Sequence, residues 1–150
     1  MEELIDNAKQ ELKRVDHLIF VSLKYTRTAD VLMNVINRLI SSAEFVVDAL
    51  LKKALTSNKI SEIPAARIQK AELLLKLYPD DEWISRLSRF FIKIQKVSKS
   101  DYRTEFEYRR NVAMISNIDG EEVIINIDKV TEYYQNAKEL ISYIEEKYLK

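Results

Sequence analysis

A single glycine, Gly120, and two prolines, Pro64 and Pro79, punctuate the 150 residues of this chain. Turns lean on glycine for positive φ and on proline to stop regular structure, so a chain this poor in both is confined to a few long elements joined by short connections. Apolar spacing says which elements these are. Leu4, Ala8, Leu12, Val15, Ile19 and Ser22 recur every three or four residues, a stripe that predicts a helix running to about Lys24. Thr26 or Thr28 is placed to cap a second helix, whose seam is Leu32, Ile36, Leu39, Ala43, Val46 and Leu50.

Thr56, Ser57 and Asn58 end that helix. Pro64 suits the first turn of a third, with Ile68, Ala71, Leu74, Leu75 and Tyr78 facing inward and Pro79 as its stop. Asp80 or Asp81 caps a fourth, built on Ile84, Leu87, Phe91, Ile94 and Val97. Residues 112–118 and 121–127 then break the helical pattern, because both runs are rich in β-branched residues and flank Asp119-Gly120, the strongest short hairpin signal. Asp128 is the expected cap of a last helix carrying Val130, Tyr134, Ala137, Ile141, Ile144 and Tyr148. The chain reads as mainly all-α: an up-and-down bundle of about five helices with one small β-hairpin before the last helix, in a single domain over residues 1–150. A 47% hydrophobic content is enough to bury one core.

Much chemistry is excluded at once. Without cysteine there is no disulfide, thiolate nucleophile or sulfur-ligated metal. One glycine cannot make a glycine-rich phosphate loop, and one histidine, His17, set inside a helix with no nucleophile elbow, gives no context for a triad. The carboxylate pairs Asp80-Asp81, Glu121-Glu122 and Glu145-Glu146 are adjacent in sequence, and neighbours share no face of a helix or strand. No catalytic residue, metal ligand or cofactor is therefore expected. The acidic start at Glu2-Glu3 is unlike a basic leader, and no uncharged apolar run reaches the roughly 18 residues of a spanning helix, so a cytoplasmic protein without membrane contact is expected.

Formal net charge is zero, yet residues 86–110 hold eight cationic side chains against three anionic ones. At 100° per residue Arg86, Arg89, Lys93 and Lys96 share the helix face opposite Ile84, Leu87, Phe91 and Ile94. Arg103, Arg109 and Arg110 extend the basic region. These seven are the candidate sites for phosphate or nucleic acid, set against the plainer reading of a solvated face. The last helix brings Tyr133, Tyr134, Tyr143 and Tyr148, whose spacing fits packing or a subunit interface as readily as base stacking.

The run Arg38-Leu39-Ile40-Ser41-Ser42-Ala43-Glu44 leading into Val46-Val47-Asp48-Ala49-Leu50-Leu51 resembles the long paired helices of the HEPN superfamily, with coverage over most of residues 30–150. In that family a late helix carries an arginine followed, a few residues on, by a histidine, often written Arg-Asn-x-x-x-His. Here Arg110-Asn111-Val112-Ala113-Met114-Ile115 supplies the arginine and asparagine and puts isoleucine in the histidine's place, while His17 lies too near Arg14 and precedes the other arginines. The strand signals after Asn111 also stand where the family continues as helix. Members commonly dimerise; many are metal-independent ribonucleases, and others have lost the motif and serve as binding modules. The resemblance implies the second kind: a non-catalytic homodimer that binds RNA or a protein partner. The alternative is a structural or adaptor protein that contacts another polypeptide through its tyrosine-bearing helix and hairpin edge. A remaining, enzymatic reading rests on Arg109 and Arg110 acting on phosphate without a histidine.

Overall fold

Residues 29–56 form the axis of the molecule. In the computed structural model, which describes residues 2–150, the chain order is α1 (Glu2–His17), a π-helical turn (Leu18–Ser22), α2 (Leu23–Tyr25), α3 (Ala29–Thr56), α4 (Arg67–Leu77), α5 (Glu82–Lys99), β1 (Tyr102–Glu105), β2 (Ala113–Ile118), β3 (Glu121–Asn126), α6 (Ile127–Ile144) and a closing π turn (Glu145–Leu149). α3 is 28 residues long, about 42 Å at 1.5 Å per residue. All six seam positions read from the sequence are buried, and so are Val35, Ile40, Val47 and Leu51, because helices cover α3 on more than one side.

Side-chain pairs give the direction of each helix. Ser42 Oγ donates to the Ala8 carbonyl at 3.1 Å and Arg38 reaches Glu11, so α1 and α3 run antiparallel. Ser98 of α5 donates to Asn37 of α3, Trp83 and Phe90 of α5 meet Tyr143 and Tyr133 of α6, and Lys9 and Asp16 of α1 meet Glu145 and Tyr134. The four helices alternate in direction as an up-and-down bundle, with α4 strapped across α3 and α5. Arg67 and Lys70 pin α4 to Glu44 and Asp48 of α3.

The caps follow local chemistry. Thr28 Oγ1 accepts from the Val31 N–H, and the Glu107 carboxylate accepts from Ala29, so the start of α3 is held from two sides. Asp81, not Asp80, caps α5 by accepting from Trp83 and Ile84. Two expectations need correction. Pro64 lies before α4 rather than in its first turn, because residues 60–64 stay irregular while Ile60 and Ile63 pack on the core, and the helix starts only at Arg67. Asp128 is not the cap of α6: β3 runs straight into the helix, so extended Asn126 takes the role and accepts from Lys129, leaving Asp128 in the first turn. There its charge still complements the helix dipole.

The hairpin is present, with Asp119 and Gly120 both at positive φ, 54° and 84°, the type I′ geometry that matches strand twist. It belongs to a larger sheet. β1 adds to the free side of β2, giving an antiparallel sheet in the order β1-β2-β3. Met114 and Ile125 point from it into the core.

Candidate nucleic-acid interface

α5 buries Ile84, Leu87, Phe91, Ile94 and Val97, so its opposite face must be presented outward. Where α6 lies antiparallel beside it, Arg86, Arg89, Phe90 and Lys93 face Glu132, Tyr133, Asn136 and Leu140 across a groove of about 260 Å³. None of Arg86, Arg89 and Lys93 makes an ion pair among the described residues. Aromatic faces orient two of them instead. The Arg86 guanidinium sits 4.6 Å from the centre of the Trp83 ring, and Trp83 is stacked on Tyr143 at 4.5 Å. The Lys93 ammonium lies 5.5 Å from the Tyr133 ring, with Lys129 on the same ring at 6.0 Å.

Tyr133 forms part of the groove wall. It is only 3% exposed, and its hydroxyl has no hydrogen-bond partner. A buried hydroxyl without a partner costs about 1–3 kcal/mol, so native structures keep few of them. Burial, reinforced by the charge of Glu132, pushes this phenol above its ordinary pKa. The groove thus combines three cations free of ion pairs with the edge-to-face rings of Phe90 and Tyr133 and the carboxylate of Glu132, and the cations can hold phosphate oxygens.

The other basic residues do not join them. Lys96 is paired with Asp119 of the hairpin turn at 2.9 Å. Arg103 bridges Glu105 and Glu122 on the outer face of the sheet, at 3.4 and 3.0 Å, and is withdrawn from the candidate set. Arg109 and Arg110 lie in the β1–β2 loop; Arg110 lines a separate cavity of about 400 Å³ with Asn111, Asn126, Ile127 and Asp128.

The tyrosines of α6 are packed inside the chain. Tyr133 and Tyr134 are buried, Tyr134 donates to Asp16 at 2.8 Å, and burial together with that hydrogen bond pushes its phenol up to about 12. Tyr148 donates to Asp81 and meets Tyr78 edge-on. Of the four, Tyr133 and Tyr134 are turned inward, while Tyr143 and Tyr148 are half-buried. Sequence reasoning missed Phe90 and Asn136 as groove residues and weighed Tyr133 without placing it on the basic face. The spacing of Lys129, Tyr133, Asn136, Leu140 and Tyr143 along one face of α6 was the available signal. What it lacked was the identity of the helix packed against that face.

Among the described residues no group of three or more His, Asp or Glu side chains converges as a metal site, and no helix is long and apolar enough to cross a membrane. Comparison with family models, characterised proteins and solved structures found no match to this chain.

Proposed function

We propose that this protein is a non-catalytic, HEPN-like helical module that self-associates and binds RNA or nucleotide phosphates in the α5–α6 groove. The observation that carries the reading is the trio Arg86, Arg89 and Lys93, free of ion pairs among the described residues and gathered on one groove with Phe90 and Tyr133. Lys96 and Arg103, in contrast, meet Asp119 and Glu122. The cytoplasm is the location this reading assigns, and with isoleucine at 115 the bound RNA is held rather than cut.

Anisotropy of a fluorescent single-stranded RNA, titrated at low salt, tests the reading. Reversal of Arg89 and Lys93 to glutamate should weaken binding on the order of a hundredfold, since two charge-assisted contacts contribute about 1.5 kcal/mol each. The logarithm of affinity should fall against log salt with a slope of about −2 for three phosphates on a single strand. No binding at low salt would sink the proposal and leave the adaptor reading in its place.

Self-association rests on a different surface. Phe20, Val21 and Tyr25 are large apolar or aromatic side chains left exposed around the end of the first helix. Exposed apolar side chains of this size are candidates for burial in a contact between copies of the chain.

A further inference from the structure

The lone histidine stands in a second cationic hollow, on α1 and α3 and independent of the α5–α6 groove. Lys13, Arg14, His17, Leu18 and Arg38 line a cavity of about 350 Å³. An adjoining one, of about 290 Å³, shares Leu18 and Arg38 and is otherwise lined by Asn34, Asn37 and Ser41. The π turn begins at Leu18, immediately after His17. Such turns insert a residue into a helix and are frequent at functional sites.

The arginines are held in place from behind. Glu11, 7% exposed, accepts from Arg14 Nη1 at 2.6 Å and from Arg38 Nη1 at 3.2 Å. One guanidinium suffices to neutralise a buried carboxylate, and here there are two, with Lys13 beside them. Both arginine side chains remain about half exposed, so their other N–H groups face solvent. A net charge of two is left around this open hollow, whose wall is formed chiefly by the carbon stems of these side chains, with the ring of His17 beside them. Guanidiniums fixed by a buried carboxylate lose little freedom when they bind a second anion.

We infer that this hollow is a binding site for a phosphate monoester, with Arg14, Arg38 and Lys13 on the phosphate, His17 donating or accepting at its edge, and Asn34, Asn37 and Ser41 receiving the esterified polar group. Dianionic phosphate matches the residual charge of two, and planar guanidinium forks match its oxygens.

Because His17 is the sole histidine, its imidazole carbon-bound protons give one unambiguous reporter by nuclear magnetic resonance. Glycerol phosphate, titrated at fixed pH and ionic strength, should shift that signal saturably and bind at least threefold more tightly than inorganic phosphate, which lacks a group for the amide-lined hollow. Arg38→Ala should weaken binding about tenfold; Lys13→Gln, on the surface of α1, gives the same reading should loss of Arg38 unfold the chain. Arg89→Glu, expected to weaken RNA binding in the other groove, should leave the glycerol phosphate shift of His17 as it was. A shift that grows without saturating, equal affinity for inorganic phosphate, or indifference to Arg38→Ala and Lys13→Gln in folded protein would each overturn the assignment.

Discussion

Tyr108 holds φ at 68° with its side chain 79% exposed, and Phe106, two residues earlier, sits at 56°. Left-handed backbone costs a residue with a Cβ roughly 1–2 kcal/mol, and an exposed ring returns little of it. The conformation is imposed from outside: the Tyr108 N–H donates to the Arg27 carbonyl at 2.7 Å, which ties the loop to the start of α3. Tyr108→Gly should therefore stabilise the protein by about 1 kcal/mol and raise Tm by roughly 2–4 °C. A fall in Tm by calorimetry would show that the ring makes contacts worth more than the strain. Asp81 is the opposite case, a residue whose ionised form the fold requires. Burial alone would raise its pKa, but hydrogen bonds from Tyr148, Lys147 and the backbone N–H of Ile84 outweigh burial and hold the carboxyl below the ordinary range. A depressed folded-state pKa stabilises the native state above the unfolded value of about 4, and this contribution is lost as pH falls through the folded value. Urea melts from pH 5 to 2 should show that decline, and Asp81→Asn should flatten it.

At the scale of elements, the hairpin and α1 show how local chemistry and packing divide the decisions. In the turn Asp119-Gly120 both residues need positive φ, and nothing lies within 4 Å of where a Cβ on Gly120 would stand. Gly120→Ala should thus cost about 1 kcal/mol through backbone strain alone, with no clash to relieve. A neutral result in chemical denaturation would mean that the turn relaxes to another type. After α1 the buried stripe passes through the π turn from Ile19 to Leu23, an ordinary step of four residues, so Leu23 rather than Ser22 faces the core. β1 was invisible in the sequence: Tyr102, Arg103, Thr104 and Glu105 form an edge strand with no side chain fully buried, so no alternation of apolar and polar residues marks it.

On the scale of the whole molecule, α3 meets α1, α4, α5 and α6, and damage at its centre reaches all of them. Leu39, fully buried, occupies the seam of that helix. Leu39→Ala should cost about 2–5 kcal/mol, lowering the urea midpoint while the transition stays single and cooperative. Two separate transitions would show that α4 and the sheet fold apart from the bundle. Light scattering after size exclusion reads the self-association proposed above; a monomer mass at high micromolar concentration would contradict it, and Phe20→Asp should return a dimer to monomer.

The helices and the hairpin were legible because their signals are local: apolar residues at helical spacing, a threonine or aspartate able to accept the first free N–H groups, and Asp-Gly where two positive φ angles are needed. The basic face of α5 was legible for the same reason. Which of its charges remain available was not, because that depends on partners far away in sequence. Lys96 meets Asp119 and Arg103 meets Glu122, whereas Arg86 lies over Trp83, Lys93 lies over Tyr133 of α6, and Arg89 joins them on the groove. The hollow around His17 likewise needs Arg38, brought across from α3 by antiparallel packing and held there by Glu11. Periodicity determines which face of a helix is apolar; only the tertiary structure decides which charges find a counterion, since ion pairing depends on distance in space and not on separation along the chain.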